Sequence, residues 1–432
     1  MYFTDDVPAA SFLNPAFSPE NDFVIGLPFI SGINIGFNND FKLNEITQKG
    51  YGIFSDTLKF NFDSFYNVID DKNKTSFEAD VSMFYMGIRD GKNYYSVTIN
   101  EKGFFRGEFD KRFVEFFTKG TKLYFGSESN LGGLSFNVAQ YREYGLGVSR
   151  RVNKKLSYGA KLKVLFGRVH MNSENLQFGL KTSSDEEALI LNPFGDVKIS
   201  GPVRFETDTV EQSVRLRSEL NASDYFFNLK NIGAAADIGI KYQYNNQLSL
   251  SASVIDIGFL RFSKKNYIMD TGFELRYEKD ELTQAFIPGQ FDYLSPNSAL
   301  YAFRDSIPFM TTATASGKTQ FTSLPVKLYL GANYVLNNEW TFGFVGKLYF
   351  LKNYSYSAFT VSAQTYFTND FRLIFSNSLI RKSILNPGIG CIYKTKIIHA
   401  YFVADNIFSV IAPSSVKNLN LQLGINLLIN NE

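Results

Sequence analysis

The sequence predicts an all-β fold, a transmembrane antiparallel up-and-down β-barrel of about 14 strands. Three observations favour this class. Apolar and polar residues alternate along many segments of about ten residues, the length of a tilted strand that crosses a bilayer. Short turns and long connections between these segments fall at opposite ends of the predicted barrel. The 432 residues also include 44 Phe and 25 Tyr, residue types with high β-propensity.

Composition excludes several other classes of protein. The net charge is +2 with both signs mixed, so we expect no nucleic-acid partner. Cys391 is the only cysteine, which excludes an internal disulfide and a cysteine metal cluster. No apolar run approaches the roughly 18 residues of a transmembrane helix. The first residues lack the basic and apolar regions of a signal peptide, so we expect a mature chain from which that peptide was removed.

The C-terminal segment 418–430 gives the clearest strand, because aliphatic residues occupy every second position and polar residues or Gly the others. The same alternation recurs in 156–166, 326–336 and 340–350, where lysines lie on the polar face. A lysine facing hydrocarbon would be costly, so the polar face must be the lumen. The residues predicted to face the lumen are Lys161, Lys163, Lys327, Lys347 and His399.

Fourteen such segments can be counted, and the tight turns rich in Asn, Asp, Gly and Lys follow only even-numbered ones. All these turns therefore share one end, as in outer-membrane barrels with short periplasmic turns. The turns are Asp90–Asn93, Val152–Lys155, Asn245–Asn246, Asn337–Glu339, Thr368–Asp370 and Lys394–Lys396. The strands are expected at 24–37, 76–88, 93–101, 132–150, 156–170, 234–244, 247–262, 326–336, 340–351, 355–367, 371–381, 386–393, 397–406 and 418–430.

Residues 23–432 are thus expected to form the barrel, with long extracellular loops. Phenylalanines at near-helical spacing predict a short amphipathic helix within 105–119, and 271–278 is expected to be a strand above the membrane. The loops are placed near 38–75, 102–131, 171–233 and 263–325. Aromatic residues beside the tight turns predict a periplasmic-side girdle at the membrane interface, made of Tyr95, Tyr158, Tyr242, Trp340, Phe367 and Tyr393.

Residues 1–22 do not resemble a strand and contain three prolines. Their Asn14-Pro15-Ala16 element, shortly before the first strand, resembles the start of FadL-type outer-membrane proteins, including PorV-like barrels of the Bacteroidota. The segments 228–233, 255–259 and 404–408 are also similar to that superfamily. The ending 417–426 resembles an uncharacterised Bacteroidota family of about this length, although many such barrels end in Phe and this chain ends in Glu432.

The resemblance implies that residues 1–22 fold into the lumen as a hatch, with Asp5, Asp6, Asn14, Pro15 and Phe17 as its main residues. We expect Asp5, Asp6 and Glu20 to meet the lumen lysines, since buried charges need partners. The alternative is a periplasmic tail that contacts nothing. The implied location is the outer membrane of a Gram-negative cell, in contact with its lipids.

No phosphate loop, nucleophile elbow or metalloprotease motif is present, so we expect no enzyme activity, no cofactor and no metal site. Three hypotheses for function follow. The first is a subunit or adaptor of an outer-membrane assembly, bound to other outer-membrane proteins through its loops or wall. The second is a FadL-type channel for hydrophobic or amphipathic molecules, with a lateral opening at Gly87, Gly145 or Gly147. The third is a lipid-modifying enzyme that uses His399, one of two histidines.

Overall fold

The computed structural model shows a closed barrel of 14 antiparallel strands, which confirms the predicted fold class. Within the described residues, no helix is both long enough and apolar enough to cross a membrane. The structure describes residues 2–4, 6–49, 58–119, 128–183, 188–201, 203–208, 213–218, 231–262, 266–270, 275–278, 312–316, 318–352, 354–368, 370–381 and 383–430.

All the predicted strands are present, and each pairs antiparallel with the next. The last strand pairs with the first, which closes the barrel. Strand β1 has two segments, Phe23–Gly26 and Ile33–Asn39. The others are β2 (Lys72–Asp90), β3 (Asn93–Asp110), β4 (Glu128–Arg151), β5 (Leu156–Thr182), β6 (Ile232–Gln243), β7 (Leu248–Phe262), β8 (Val326–Val335), β9 (Trp340–Leu351), β10 (Tyr354–Tyr366), β11 (Phe371–Ile380), β12 (Pro387–Lys394), β13 (Ile398–Ala404) and β14 (Asn418–Ile429).

Side chains on β14 show how the alternating sequence produces the barrel wall. Leu423, Ile425 and Ile429 point outward and are exposed, while Asn418 and Asn426 point inward and are buried. An inside-out distribution of this kind fits a wall that has hydrocarbon on its outer side. The short connections after β2, β4, β6, β8, β10 and β12 all lie at one end, as predicted.

At the other end the strands β2 to β5 extend well beyond their predicted ends, and β5 has 27 residues. The predicted helix within 105–119 begins only at Lys111, because Phe105 and Phe109 belong to β3. In the predicted strand 271–278, the last four residues form a strand and the first four lie outside the described residues. The outer connections contain α1 (Leu43–Ile46), α2 (Phe62–Val68), α3 (Lys111–Lys119), α4 (Phe408–Ile411), a 3₁₀ turn (Pro413–Ser415) and the strands Thr47–Lys49, Leu58–Phe60, Ala188–Phe194, Asp196–Ser200, Val203–Asp208, Ser213–Ser218, Asn266–Asp270, Leu275–Glu278, Thr312–Ser316 and Gln320–Ser323.

The interruption in β1 departs from the predicted continuous strand 24–37. The backbone N–H of Ile30 donates to the carbonyl of Leu27 at 3.2 Å, which closes a turn with Pro28 and Phe29 at its tip. Phe29 has φ +66° and is exposed, so the tip points outward. Proline cannot donate to a strand ladder, which explains why the strand leaves its register at this position.

Over Leu27–Ser31, described in full, no backbone hydrogen bond reaches β2; pairing resumes where the Ser82 N–H donates to Gly32 at 2.7 Å. Strand β2 has its own irregularity between Ser82 and Phe84, opposite this turn. The seam between β1 and β2 therefore lacks backbone hydrogen bonds at the level of Leu27–Ser31. We refer to Leu27–Ile30 as the strand-one turn.

Candidate functional site

Residues 2–22, which we call the N-terminal segment, lie inside the barrel at the end that carries the short turns. A 3₁₀ helix over Pro8–Phe12 gives the segment its central bend. The amide nitrogen of the Asn14 side chain donates to the carbonyls of Ile240 on β6 and Ala252 on β7, each at 3.3 Å. The Ser253 hydroxyl donates to the carbonyl of Leu13 at 2.6 Å. The Asn-Pro element is thus fixed to the wall by hydrogen bonds.

Two inward-facing glycines make room for that element. A Cβ atom added at Gly159 of β5 would overlap the main chain of Pro15, with the Ala16 nitrogen only 2.7 Å away. A Cβ added at Gly239 of β6 would overlap the Asn14 side chain, with Pro15 Cδ at 2.9 Å. We call these two positions the glycine socket, since any side chain there would occupy the space of the N-terminal segment.

The apolar residues of the segment contact further strands of the wall. The Tyr2 ring stacks on Tyr329 of β8, with centroids 5.4 Å apart, and packs edge-on against Phe17 at 5.3 Å. Tyr2, Ala10 and Phe17 are buried in one cluster with Tyr329, and a second cluster buries Val7 against strands β11 to β13. The N-terminal segment therefore spans the lumen from wall to wall.

Asp6 pairs with residues other than the predicted ones. Its carboxylate lies 2.6 Å from the Arg372 guanidinium and 3.7 Å from the Lys394 ammonium. Burial alone would raise the pKa of Asp6, but the charge of Arg372 and its hydrogen bond outweigh burial and lower that pKa below its ordinary value. Glu20 lies 3.8 Å from Arg151 in an exposed pair. Asp5 lies outside the described residues.

The expected pairing of these acidic residues with the lumen lysines is therefore wrong for Asp6 and Glu20. The lysines do face inward, but carboxylates on neighbouring strands satisfy two of them. Lys163 lies 2.6 Å from Asp256 and 2.7 Å from Asp237, and Lys327 lies 3.4 Å from Asp256. We call Lys102, Glu143, Lys163, Asp237, Asp256 and Lys327 the charge cluster.

Lys161 and Lys347 have aromatic neighbours instead. The buried Lys161 ammonium lies 4.4 Å from the Phe12 ring centroid, so this lysine touches the N-terminal segment through a cation–π contact. The Lys347 ammonium lies 5.7 to 5.9 Å from the ring centroids of Tyr329, Tyr349 and Tyr356.

The sequence reasoning missed the carboxylates of the charge cluster. Asp256 has φ +63° and lies at a bulge where two residues of β7 oppose one residue of β6, so Ile255 and Asp256 are both buried inside. Its N–H donates to Asp237 at 2.8 Å. Asp237 and Glu143 occupy inward positions of strands in which apolar and polar residues alternate, so this alternation could have identified them. The bulge shifts the alternation at Asp256, so the pattern did not show that this residue faces inward.

A cavity of about 240 Å³ lies between the N-terminal segment and the charge cluster. Its floor includes Phe12 and Leu13, and its sides carry both charged and apolar residues. The stretch of β1 directly after the strand-one turn also lines it. Among the residues that line its walls are Gly32, Asn34, Asp80, Lys102, Ile255, Lys327, Tyr329, Val345, Lys347 and Tyr356.

Toward the outer end, side chains from opposite walls meet across the lumen. The guanidinium of Arg106 on β3 contacts the Tyr349 hydroxyl on β9 and the Glu78 carboxylate on β2. An apolar core surrounds this contact and joins residues from β3 to β10, among them Phe104, Leu165, Phe262 and Tyr354. We call it the outer core. The outer core therefore bounds the cavity on the side of β3 to β10, whereas the lining continues along β1, β11 and β14 to Asn38, Ile380 and Leu419 at their outer ends.

A model of the family of unknown function DUF5723 matches residues 15–405. The chain belongs to this family. The match begins within the Asn-Pro element and includes the strands from β1 to β13. A search of curated proteins found no match. The Bacteroidota and PorV-like assignments remain predictions.

Several solved outer-membrane channels are similar to this DUF5723 chain at low identity. A mutant of TodX, a monoaromatic hydrocarbon channel, is 9% identical with a TM-score of 0.42, covering 98% of this chain and 94% of its own. A Pseudomonas aeruginosa FadL homologue is 9% identical with a TM-score of 0.41, covering 97% and 93%. The Ralstonia pickettii toluene transporter TbuX is 13% identical with a TM-score of 0.35, covering 99% and 95%.

The other residues singled out in the DUF5723 sequence lie as follows. His399 is fully buried on the lumen side of β13, near the Asp6–Arg372 pair. Gly87, Gly145 and Gly147 were the predicted lateral openings, and this prediction is wrong. Their strands are continuous, and the side chains of Tyr94, Thr98 and Ser96 fill the space beside them.

No group of three or more His, Cys, Asp or Glu residues suited to a metal ion is found in the described parts of the chain. The aromatic residues proposed as a girdle all lie close to the short turns. Tyr95, Tyr158, Tyr242, Phe367 and Tyr393 are exposed there, and Trp340 is half-buried. Their interfacial role remains a prediction.

Proposed function

We propose that this DUF5723 protein is an outer-membrane channel that passes a small amphipathic molecule, with the N-terminal segment as its hatch. The observation that carries the proposal is the position of the cavity. It lies between the N-terminal segment and the outer core, and it adjoins the interrupted strand β1. A cavity that has the N-terminal segment on one side and an interrupted strand on another is an arrangement that a gated channel could use.

The contacts of the N-terminal segment support its role as a hatch. A segment used only as a filler could be held by apolar packing throughout. Here the Asn-Pro element is fixed by hydrogen bonds to β6 and β7, whereas the first residues are held by aromatic contacts and the Asp6–Arg372 pair. We expect the Tyr2–Asp6 part to move while the Asn-Pro element stays in the glycine socket.

The strand-one turn supports a lateral route between the cavity and the membrane. Because the turn interrupts the pairing of β1 with β2, a local opening at Leu27–Ser31 breaks no backbone hydrogen bond to β2. Gly32 and Asn34, which follow the turn, line the cavity. The outer core blocks the axial route over strands β3 to β10, so we place the exit at the seam between β1 and β2.

Removing residues 2–20 tests the hatch. The full chain and the deletion variant would be compared by single-channel recording in planar bilayers. We expect small, rare openings from the full chain and stable openings of larger conductance from the variant. Equal conductance of the two proteins would contradict the proposal.

A point substitution gives a finer test with a matched control. Gly239→Ala puts a methyl group where Asn14 lies, whereas Gly346→Ala adds one on the outer wall at an ordinary 3.4 Å from the Phe359 ring. We expect faster hydrogen–deuterium exchange in residues 2–17 and more frequent openings for Gly239→Ala only. If both variants behaved like the unmodified chain, the glycine socket would not hold the hatch.

The subunit or adaptor hypothesis remains a prediction, and no contact among the described residues favours it over a channel. Outer-membrane location and contact with lipids are part of our proposal. The outward belt of exposed apolar side chains on β5, β6, β8, β9 and β14 supports them.

A further inference from the structure

We infer that the cavity binds a small zwitterion, with its anionic group at Lys347 and its cationic group at Asp80. The inference rests on the proposed function and names the class of molecule that the channel takes. It follows from two charged side chains that face the cavity and have no opposite charge within 4.0 Å among the described residues.

Lys347 supplies the first of these charges. It lies on β9 directly opposite Tyr329 of β8, and its ammonium lies 5.7 Å from the Tyr356 ring centroid. Among the described residues no carboxylate lies within 4.0 Å of this ammonium. The Glu78 carboxylate attracts this ammonium from beyond 4.0 Å, and the aromatic faces add cation–π contacts, but neither gives it a charged hydrogen-bond partner. An anionic ligand group would complete the site, with the two tyrosine hydroxyls as further donors.

Asp80 supplies the second charge. Its cross-strand neighbours are Asn34 on β1 and Lys102 on β3. The Asn34 amide donates to it at 3.4 Å, but Lys102 points away, toward Glu143 at 2.9 Å and Asp256 at 3.6 Å. Within the described part of the chain, no cationic group lies within 4.0 Å of the Asp80 carboxylate. A ligand ammonium would supply the missing partner.

The two charges lie on opposite walls of one cavity. Strands β2 and β9 are seven positions apart in a ring of 14, and Asp80 and Lys347 both line the same space. The lining of this space also includes the apolar residues Phe12, Leu13 and Val345. A ligand with charges at its two ends and a short apolar stem matches this arrangement.

The size and polarity of the cavity limit the choice of ligand. A cavity of about 150 Å³ holds benzene, so 240 Å³ has room for about ten non-hydrogen atoms. A hydrocarbon of that size would fill the space but leave both charges without a partner, which is unfavourable. A singly charged ligand would provide an opposite charge for only one of the two side chains, Lys347 or Asp80.

Calorimetric titration of the full chain in a neutral detergent tests the inference with four six-carbon probes. These are 6-aminohexanoate, hexanoate, hexylamine and hexanol, which differ only in their charged ends. We expect 6-aminohexanoate to bind about tenfold more tightly than each of the others, because only it makes both charge-assisted contacts. If hexanol bound as tightly as 6-aminohexanoate, the inference would be overturned.

Two substitutions should produce opposite patterns, which a general folding defect cannot do. Lys347→Met should weaken 6-aminohexanoate and hexanoate about tenfold and leave hexylamine unchanged. Asp80→Asn should weaken 6-aminohexanoate and hexylamine and leave hexanoate unchanged. The controls Lys352→Met and Asp63→Asn, both at exposed outer positions, should change nothing. Loss of all binding to hexanoate and hexylamine alike in both variants would overturn the inference.

The failure of this inference and that of the proposed function are distinguishable. Suppose that Lys347→Met and Asp80→Asn have the opposite effects described above, but deletion of residues 2–20 leaves the conductance unchanged. The zwitterion site is then supported and the channel function is contradicted. If the deletion opens a channel but the four probes bind equally, the channel stands and the ligand class is wrong.

Discussion

The ion pair between Asp6 and Arg372 joins the moving end of the proposed hatch to β11. Both side chains are mostly buried, so their attraction is screened by water less than that of a surface pair. The Lys394 ammonium lies farther from the same carboxylate, at 3.7 Å. The Asp6–Arg372 pair is therefore the shorter of two ion pairs that would break when the first residues leave the cavity floor.

Asp6→Asn should raise the ratio of open to closed channel about tenfold, the effect of losing about 1.4 kcal/mol of a charged hydrogen bond. Arg372→Gln should do the same, and the double variant should add little more, because both changes remove one interaction. The open probability in single-channel recordings would be compared for the unmodified chain, the two single variants and the double variant. The exposed pair of Glu20 and Arg151 serves as control, with no expected effect. Additive effects of Asp6→Asn and Arg372→Gln would contradict the role of the pair.

Asp256 is the centre of the charge cluster, with the ammonium groups of Lys102, Lys163 and Lys327 within 4.0 Å of it. Lys102 and Lys163 have further carboxylate partners, but Asp256 is the only carboxylate within that distance of Lys327 among the described residues. Removing this one charge therefore leaves the buried Lys327 ammonium with no carboxylate within 4.0 Å among the described residues.

Asp256→Asn should destabilise the barrel by about 3 kcal/mol, since breaking a buried ion pair from one side leaves the other charge unpaired. The midpoint of urea unfolding in detergent would measure this change. Lys352→Met breaks the exposed pair with Glu174, and we expect less than about 1 kcal/mol for it. Equal effects of the two substitutions would show that the charge cluster is not a stabilising element.

At the scale of elements, the strand-one turn adds four residues to the wall. Gly26 and Ile33 are seven residues apart on β1, whereas their partners Asn426 and Leu423 are three residues apart on β14. Deleting Leu27–Ile30 would bring the two segments of β1 into one register. An even number of residues is removed, so Gly32 and Asn34 would keep facing the lumen.

The deletion of Leu27–Ile30 should close the seam. We expect slower hydrogen–deuterium exchange at the Met83 and Phe84 amides, which face the strand-one turn, because a continuous β1 would cover them. Entry of amphipathic solutes from the membrane into the cavity should fall at least about tenfold, which uptake into proteoliposomes would measure. Phe29→Gly is the control, since it keeps the turn and relieves the positive φ. Undiminished uptake by the deletion variant would contradict a lateral route between the cavity and the membrane.

The same elements show how far the sequence could predict the structure. Strand β14 could be predicted from the sequence because each of its side chains faces either hydrocarbon or the lumen. Its residues therefore alternate regularly between apolar and polar. The break in β1 was not recognised, although Pro28 in a strand was a local warning. The ends of β2 to β5 were misplaced because these strands continue to pair with one another above the membrane, and β5 also pairs with loop strands there. In that region the alternation no longer indicates a bilayer.

The candidate site was less predictable than the fold. Alternation predicted that Lys161, Lys163, Lys327 and Lys347 face inward, but it carries no information about which strands lie across the lumen. Whether a lysine meets a carboxylate or a tyrosine depends on contacts between residues far apart in the chain. The cavity depends on them too, because its floor and walls come from the N-terminal segment and many strands.

For the whole molecule, the account depends on one property of the wall: every strand has hydrocarbon on one side and the lumen on the other. Neighbouring residues of β14 make this property measurable, since Leu423 points outward and Gln422 lines the cavity. The outward belt and the inward charge cluster are both incompatible with a single surrounding solvent.

Spin labels at these two positions provide the direct measurement. In a background where Cys391 is replaced by Ala, Leu423→Cys and Gln422→Cys would be labelled in liposomes. The collision rates with oxygen, which concentrates in hydrocarbon, and with a water-soluble nickel complex would then be compared. We expect the label at 423 to favour oxygen and the label at 422 to favour the nickel complex. Equal ratios at both positions, or the reverse order, would contradict a membrane-spanning barrel with a hydrated lumen.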